Sequence, residues 1–354
     1  MSGARRAARR ALIPLIALFP LVAPASAAAK ISPGFFGVVA QAGLLASDFA
    51  RMEGVVGTLR VPVYWFECEP VRGGYDFGRL DEVVGEAAAR GIRVLPFVYG
   101  TPAWLAPDPA RPPLESATAR GAWSSFLRQL IERYGPGGEF WDGRAGALPI
   151  RRWQIWNEPN FRLFWAPHPV PRQYAQLLRL AAGAIRGADP GAQIVLGGVA
   201  PVAGGLLPWV YLRRLYRVPG VERDFDFVAV HPYSIRVGNT IAQVRLAREA
   251  IEAAGDAATP ILVTELGVAS SGTIPSPFVL GEAGQAEYLR GAFSALLAKR
   301  RAWRVAGVDW FTWRDGVEAD IHCGFCQGAG LVDLDGRAKP AWYAYKAAVR
   351  TGVR

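Results

Sequence analysis

Cysteine is scarce in this sequence. Only three cysteines, Cys68, Cys323 and Cys326, occur in 354 residues, which excludes a disulfide framework of the kind that stabilises small secreted domains. Cys323 and Cys326 stand three positions apart and permit a disulfide within one loop, which would leave Cys68 free. A zinc site that also uses the adjacent His322 and a pair of reduced thiols are the alternatives, although no second pair of zinc ligands lies nearby.

Clusters of like charge and long apolar runs are also missing. The formal net charge is +10, but the basic residues are scattered, with no run of five or more beyond the N-terminus, which argues against nucleic-acid binding. After the N-terminal segment, no apolar stretch is long and charge-free enough to cross a bilayer. The sequence therefore predicts neither a nucleic-acid partner nor a stable membrane insertion.

The N-terminal segment has the pattern of an export signal. A cationic stretch at 5–10 precedes an apolar core from Ala11 to Val22, and the small residues at 25–27 fit the A-x-A cleavage pattern. The core is shorter than the ~20 residues that a membrane span needs. We therefore expect a cleaved signal peptide at 1–29 and a secreted, cell-envelope or periplasmic protein. The segment contains four arginines and no acidic residue, so its removal leaves a net charge of +6, and its paired arginines leave a twin-arginine route open.

No glycine-rich G-x-G-x-x-G turn follows the first β-rich run, so a doubly wound dinucleotide-binding sheet is not favoured. Instead, β-rich runs alternate with amphipathic stretches. The β-rich runs are 35–40, 57–65, 93–100, 151–159, 193–200, 225–233, 260–267 and 307–314. The helical stretches include 80–90, 122–134, 172–186, 242–254 and 282–300. Eight such units predict an α/β fold, a (β/α)8 TIM barrel. No linker divides the chain, so residues 30–354 are expected to form one domain.

Two of the predicted strands end in a glutamate. Glu158 ends the fourth and Glu265 the seventh, and in such a barrel both would lie at the C-terminal face, where the loops form the active site. A buried carboxylate is costly unless it is paired or used in chemistry, and Arg60 in the second strand is a candidate partner. Two carboxylates facing each other across a barrel mouth indicate glycosidic cleavage. Pro159 is expected to hold Glu158 in extended backbone.

The residues around these glutamates resemble the retaining glycoside hydrolases of clan A. The segment Trp156–Asn160, followed by Phe164 and Trp165, and the pair Thr264 and Glu265 are similar to the clan's motifs after strands four and seven. Further similar segments are Leu59–Pro62 with Trp65, Glu69–Pro70, Gly74–Phe77, Leu80–Asp81 and Thr101–Leu105. Within the clan the sequence most resembles family 39, the β-xylosidase and α-iduronidase group, and related bacterial enzymes that cleave exopolysaccharides.

The resemblance implies a catalytic role for each residue of this pair. Glu158 would be the general acid/base and Glu265 the nucleophile of a retaining O-glycoside hydrolase. Asn157 would hydrogen-bond the 2-hydroxyl of the sugar. Arg60 would orient Glu265 and keep it ionised, because an adjacent cation lowers the pKa of a carboxyl.

The resemblance also implies substrate contacts from other strand ends. His231 and Tyr233 match a His-x-Tyr of the family, in which the tyrosine hydroxyl lies near the nucleophile. Trp313, at the end of the eighth strand, would form a platform under the reacting sugar. Trp104 and Trp165 would stack on apolar sugar faces. The chemistry requires no metal ion and no organic cofactor, and the expected partner is an oligo- or polysaccharide.

Two features depart from the resemblance. The seventh-strand motif lacks the aromatic residue that often follows the nucleophile, and the loop with Cys323 and Cys326 has no counterpart. The arginines of the loop after the fourth strand and the mild positive charge would suit an anionic polysaccharide. A transglycosylase with the same glutamates and a non-catalytic carbohydrate-binding barrel are the alternatives. Long loops that would form a cleft, and so favour attack within a polymer, are predicted at 102–116, 159–171, 269–281 and 314–330.

Overall fold

Eight parallel β-strands form a ring at the centre of the molecule. The computed structural model describes residues 31–41, 43–316 and 323–353. Within them the strands are β1 (Phe36–Val39), β2 (Thr58–Tyr64), β3 (Arg93–Tyr99), β4 (Arg152–Ile155), β5 (Gln193–Leu196), β6 (Val228–Val230), β7 (Ile261–Leu266) and β8 (Val305–Phe311). They pair in the order β5-β4-β3-β2-β1-β8-β7-β6, and every ladder is parallel. Two parallel bridges, Val195 with Phe227 and Val199 with Val230, join the β5 and β6 regions. The predicted (β/α)8 barrel is confirmed.

Helices surround the ring. In the described residues they are α1 (Ala46–Met52), α2 (Trp65–Cys68), α3 (Gly78–Ala89), α4 (Ala117–Tyr134), α5 (Pro171–Ala188), α6 (Pro208–Leu215), α7 (Val237–Ala253), α8 (Gly281–Lys299) and α9 (Pro340–Val353). The five predicted helical stretches correspond to α3, α4, α5, α7 and α8. Helices α1, α2 and α6 have eight residues or fewer, too few for a clear helical period. Helix α9 is not predicted either.

Several strands end earlier than predicted. Strand β4 ends at Ile155 because Trp156 and Glu158 have positive φ angles of 72° and 38°, which no regular strand contains. Strand β6 ends just before His231 and Pro232, and proline has no N–H to donate to a ladder. Strand β8 ends three residues before the predicted position 314, at Phe311. The strand ends, which carry the chemistry of this fold, are therefore the part that the sequence predicts least well.

The barrel interior has an apolar floor beneath a polar layer. The floor is a separate cluster whose members come from the β3, β5, β6 and β7 regions, on different sides of the ring: Leu95, Val195, Phe227, Ala229 and Leu262. Nearer the C-terminal ends of the strands lie Arg60, Gln154 and Thr264, all fully buried and joined by hydrogen bonds. The barrel interior therefore contains an apolar cluster and, apart from it, a connected set of polar side chains.

The described residues from Ile31 onward cluster into one compact unit. The predicted signal peptide, 1–29, lies outside the described residues. None of the described helices combines the length and apolar character that a bilayer-spanning segment requires.

Cys323 and Cys326 form a disulfide, which is the first of the alternatives left open by the sequence. His322, the further ligand of the zinc alternative, lies outside the described residues. Cys68 is a free, buried thiol. Burial raises the pKa of the Cys68 thiol to about 12, so it stays protonated and unreactive at neutral pH.

Candidate active site

Four strands bring ionisable side chains together towards the C-terminal face of the barrel. Glu158 follows β4, His231 follows β6, Glu265 lies in β7 and Arg60 in β2. One oxygen or nitrogen from each of Glu158, His231 and Glu265 lies within 4.8 Å of the other two. None of the four residues is more than 6% exposed. The two carboxyls singled out from the sequence therefore face each other at the barrel mouth.

The turn after β4 holds Glu158 in an unusual backbone conformation. Trp156 and Glu158, with φ angles of 72° and 38°, occupy the left-handed region, which side chains of this size rarely adopt. The extended backbone predicted at Glu158 from the following Pro159 is therefore wrong. Anchors on both sides maintain the conformation. The buried indole of Trp156 donates to the carbonyl oxygen of Phe164, and the amide of Asn160 bonds the backbone of the β5–α6 loop.

An irregularity in β7 turns Glu265 into the barrel mouth. Between Val263 and Leu266, three steps along β7 match two steps along β8. Such a β-bulge inserts one residue and re-aims the side chains next to it. Thr264 already faces the interior, where its hydroxyl contacts the side chain of Gln154, and strict alternation would turn Glu265 outward. The bulge lets both residues face inward.

Arg60 connects three strands beneath the carboxyls. Its Nε donates to Gln154 Oε1 at 2.6 Å, its Nη1 to Glu265 Oε1 at 2.6 Å and its Nη2 to Asn157 Oδ1 at 3.0 Å. The guanidinium carbon lies 4.0 Å from the centre of the Phe97 ring. One side chain of β2 thereby fixes residues of β4 and β7, and its charge favours the ionised form of Glu265.

Asn157 presents an unused donor at the mouth. Arg60 donates to its Oδ1, which assigns the amide orientation and leaves the Nδ2 group for another partner. Within the described residues, that Nδ2 group has no hydrogen-bond acceptor. A donor next to Glu158 is what recognition of a sugar hydroxyl would need.

His231 bridges the two strands that carry the carboxyls. Its Nδ1 lies 2.8 Å from Glu158 Oε1 and 3.6 Å from Glu265 Oε2, and its Nε2 lies 3.0 Å from Thr264 Oγ1. The ring is fully buried and packs directly on Gly198, where an added Cβ would lie 1.9 Å from Nε2. Glycine at position 198 therefore provides the space that this imidazole occupies.

Tyr233 holds the second oxygen of Glu265. Its hydroxyl donates to Glu265 Oε2 at 2.6 Å, so both oxygens of this carboxylate are hydrogen-bonded. Burial raises the pKa of Tyr233 well above its usual value, which keeps the hydroxyl a donor. Three phenylalanine rings surround it, with centroids at 5.3 Å for Phe325, 6.1 Å for Phe311 and 6.5 Å for Phe278.

The two carboxyls differ in their affinity for a proton. Burial raises the pKa of Glu158, and the charge of Glu265 adds to this, although the hydrogen bond with His231 acts in the opposite direction. Burial also acts to raise the pKa of Glu265, but the electrostatic effect of His231 and Arg60 opposes it. With the hydrogen bonds from Tyr233 and Arg60, these effects lower the pKa of Glu265 below its usual value. The coupled pair therefore favours one shared proton, held by Glu158, and one charge, on Glu265.

The same cluster has the composition of a metal site but not its surroundings. Glu158, His231 and Glu265 are close enough to ligate one ion. Both oxygens of Glu265 and both ring nitrogens of His231, however, already have hydrogen-bond partners. Arg60 adds a positive charge that would repel a cation bound there. The donor set fits a proton-exchanging carboxyl pair better than a metal centre.

Three tryptophans predicted to contact sugar lie outside this cluster. Trp313 is fully buried and packs edge-on against a tryptophan of α9, with ring centroids 5.2 Å apart. Trp165 is also fully buried, 5.7 Å from the ring of Trp156. The predicted sugar contacts of Trp313 and Trp165 are therefore wrong, because protein encloses both rings. Trp104 is partly exposed, and its indole nitrogen donates to the carbonyl oxygen of Glu69.

Phe311, and not Trp313, is the aromatic residue of β8 that borders the cluster. Phe311 and Trp313 are two positions apart, so in an extended strand their side chains would point to the same face. The alternation therefore indicates the correct face of β8 but does not show where the strand ends. Gln154, Thr264 and Gly198 are further site residues that sequence reasoning missed. Gln154 had a signal, because a glutamine within an otherwise apolar strand requires a buried partner. Gly198 had none.

Comparison with family models gives no match to this sequence. Solved structures do match. A family 39 glycoside hydrolase from the gut symbiont Bacteroides cellulosilyticus has 18% identity and a TM-score of 0.66, over 90% of this chain and 65% of that one. A monomeric β-xylosidase from Caulobacter crescentus has 20% identity and a TM-score of 0.67, over 90% and 69%. A family 5, subfamily 18 protein from Streptomyces cattleya, in complex with Manβ1-4GlcNAc, has 20% identity and a TM-score of 0.66, over 89% and 80%.

This chain spans only 65% of the length of the Bacteroides enzyme. The likeness nevertheless extends over about nine tenths of the chain in each case. By its architecture, the chain shares the (β/α)8 barrel fold of the glycoside hydrolases of families 39 and 5.

Proposed function

We propose that this protein is a retaining glycoside hydrolase in which Glu158 is the general acid/base and Glu265 the nucleophile. The observation that carries the proposal is a pair of buried carboxyls within 4.8 Å of each other, whose pKa values shift in opposite directions. Retaining glycosidases hold their carboxyls about 5–5.5 Å apart, whereas inverting enzymes need about 6.5–9.5 Å to admit a water. The short separation supports attack by Glu265 itself.

In the first step, a carboxylate oxygen of Glu265 bonds to the anomeric carbon while the bond from that carbon to the leaving oxygen breaks. Glu158 gives its proton to the leaving oxygen, which departs as an alcohol. The product is a glycosyl ester of Glu265, and Glu158 is now ionised. The raised pKa of Glu158 and the lowered pKa of Glu265 provide the starting protonation states that this step requires.

In the second step, water attacks the anomeric carbon and displaces Glu265, which leaves as a carboxylate. Glu158 takes one proton from the water, and the sugar is released with its original anomeric configuration. His231, 2.8 Å from Glu158, stabilises the ionised form of Glu158 between the two steps. Arg60 and Tyr233 stabilise the departing carboxylate through their hydrogen bonds.

The substrate is proposed to be an oligo- or polysaccharide outside the cytoplasm. Partly exposed aromatic rings near the strand ends, Tyr64 and Phe66 at the end of β2 and Phe278 and Phe325 beside Tyr233, suit the apolar faces of sugars. The proteins with this fold include a β-xylosidase, which supports a carbohydrate substrate. Export rests on the N-terminal sequence pattern.

The test is a screen of the chain from residue 30 onward against aryl glycosides and exopolysaccharides, with phenol release and new reducing ends as readouts. In Glu265→Gly we expect hydrolysis to fall about a thousandfold or more. Azide with an activated aryl glycoside should restore turnover and yield a glycosyl azide of inverted configuration. In Glu158→Ala, glycosides with good leaving groups should keep more of their first-step rate than natural ones, because they need less protonation.

Glu249→Gln, which changes an exposed glutamate of α7, serves as the matched control and should retain full activity. Undiminished hydrolysis by Glu265→Gly would contradict the proposal. Oligosaccharide binding without any turnover by the unaltered protein would instead indicate a carbohydrate-binding barrel. Products longer than the substrate at high acceptor concentration would indicate a transglycosylase.

A further inference from the structure

The loop after β8 contains a disulfide next to the catalytic cluster. The bridge joins Cys323 and Cys326, three positions apart, with Cα atoms 5.4 Å apart. A bridge over so few residues removes little loop-closure entropy from the unfolded chain. Its effect is therefore expected in the local geometry of the loop, and the residue that it encloses most directly is Phe325.

Phe325 packs against the tyrosine that holds the nucleophile. Its ring centroid lies 5.3 Å from that of Tyr233, at an interplanar angle of 64°. It also stacks on Phe278, at 4.9 Å and 23°, and contacts Phe311 at 6.1 Å. Tyr233 in turn donates to Glu265. A continuous chain of contacts thus leads from the disulfide to the nucleophilic carboxylate.

The disulfide loop is tied to the loop after β7. The side chain of Gln327 accepts hydrogen bonds from the backbone N–H and the hydroxyl of Thr273. The backbone N–H of Ser270 donates to the carbonyl oxygen of Gly328. Beneath both loops, the buried Lys339 donates to Ser270 and Gly328 as well as to a buried aspartate. The two loops therefore form one wall, so a change at Phe325 is transmitted to neighbouring rings and not absorbed by a free loop.

We propose that Phe325, held in place by the Cys323–Cys326 bridge, is a positioning residue that keeps the Tyr233 hydroxyl on Glu265. This inference rests on the proposed function of Glu265 as nucleophile. The phenolic hydrogen bond favours the ionised carboxylate. If Tyr233 loses its packing partner, the bond weakens and Glu265 binds a proton more readily. The acidic limb of the pH profile then moves to higher pH, because that limb reports protonation of the nucleophile.

The test compares kcat/KM against pH for the unaltered protein, Phe325→Ala, Phe325→Leu and Cys323→Ser/Cys326→Ser. We expect Phe325→Ala and the double serine variant to move the acidic limb upward by about 0.5–1 pH unit. Phe325→Leu, which fills part of the same space, should recover much of the shift. Tyr343→Ala removes an exposed aromatic ring of α9 and should leave the limb unchanged.

A double-mutant cycle with Tyr233→Phe isolates the route of the effect. Because Phe325 acts through the Tyr233 hydroxyl, Phe325→Ala should cause no further shift once that hydroxyl is gone. A shift that persists in the Tyr233→Phe background would overturn the proposal. So would a Phe325→Ala variant that loses thermal stability while its acidic limb stays in place.

A second readout does not depend on turnover. With 13C-labelled glutamate, the carboxyl carbon of Glu265 can be titrated directly by NMR and assigned with Glu265→Gln. The proposal predicts a higher titration midpoint in Phe325→Ala than in the unaltered protein, whether or not a glycoside is hydrolysed. Equal midpoints would refute the positioning role, whereas absence of hydrolysis with a shifted midpoint would refute only the proposed function.

Discussion

The burial of Glu158 is a cost to the fold. The carboxyl is 6% exposed and depends on His231 for a hydrogen bond, and burial raises its pKa. When folding raises the pKa of a carboxyl, the free energy of unfolding falls as the pH rises above the ordinary pKa of that group. The raised pKa that suits Glu158 for its proposed role thus reduces stability at neutral pH.

Glu158→Gln is therefore expected to raise the thermal stability at pH 7 while abolishing acid catalysis. Glutamine has no proton to lose, so the penalty that develops above about pH 4.3, the ordinary value for glutamate, is absent in the variant. We expect the Tm to rise by a few degrees at pH 7 and hardly at all at pH 4. Each kcal/mol of added stability corresponds to about 2–4 °C in Tm. Thermal unfolding of both proteins across this range is the measurement. An equal gain at both pH values would show that packing, and not ionisation, is responsible.

Some residues of the site can be identified from the sequence and others cannot. Glu158, Glu265, Arg60, His231 and Tyr233 are polar residues in or next to apolar strands, and the structure brings all five together. Burial of a polar group requires a partner, which singled out Glu158, Glu265 and Arg60, whereas His231 and Tyr233 were identified through the family resemblance. The role of a ring such as Phe325 depends on which chain segments meet in space, and local sequence does not contain that information.

At the scale of elements, glycines determine how closely the strand-end loops approach the cluster. An added Cβ at Gly198, after β5, would lie 1.9 Å from the imidazole of His231. At Gly267, after β7, it would lie 2.2 Å from the carbonyl oxygen of Phe311. The first contact is with the His231 side chain and the second with backbone, so the two positions should respond differently to substitution.

Gly198→Ala is expected to displace His231 and lower kcat/KM by about a hundredfold, the effect of losing one well-placed catalytic contact. The matched control is Gly183→Ala in α5, where the added Cβ meets no atom within 4 Å. That change should raise stability by roughly 0.5–1 kcal/mol, because alanine is the better helix former. Kinetics and urea unfolding of both variants provide the comparison. Unchanged kinetics in Gly198→Ala would show that His231 tolerates displacement.

Strand positions were predictable to within a few residues, but strand ends were not. Alternation and β-propensity depend on residue type along a run, so all eight strands could be found. The bulge in β7 and the left-handed residues after β4 depend on contacts with other elements. Those two irregularities aim Glu265 and Glu158. The sequence therefore identified which acidic residues meet at the barrel mouth but not the backbone that orients them.

At the scale of the whole molecule, the expected mature protein begins after the export signal. The small residues at 25 and 27 fit the cleavage site. On expression of the full chain in a bacterium, we expect an N-terminus between Ala28 and Lys30, at the end of the predicted signal peptide, and activity in the periplasmic or secreted fraction. N-terminal sequencing is the measurement.

Ala27→Arg, which places a bulky charge at the cleavage position, should block processing, and Ala29→Ser should not. Replacement of both Arg9 and Arg10 by lysine distinguishes the two export routes, because only the twin-arginine route requires arginine at both positions. Full-length protein that remains in the cytoplasm of cells producing the unaltered sequence would contradict the prediction.

The left-handed backbone at Trp156 and Glu158 has a consequence for heat tolerance. Each residue in such a conformation costs of order 1 kcal/mol or more, and the surrounding contacts must offset this. Substitutions that relax this corner would stabilise the barrel but would turn the Glu158 carboxyl away from its partners at the mouth. Adaptation to higher temperature can therefore proceed with least loss of activity through the outer ring of helices, at exposed positions such as Gly183, while the mouth of the barrel stays unchanged.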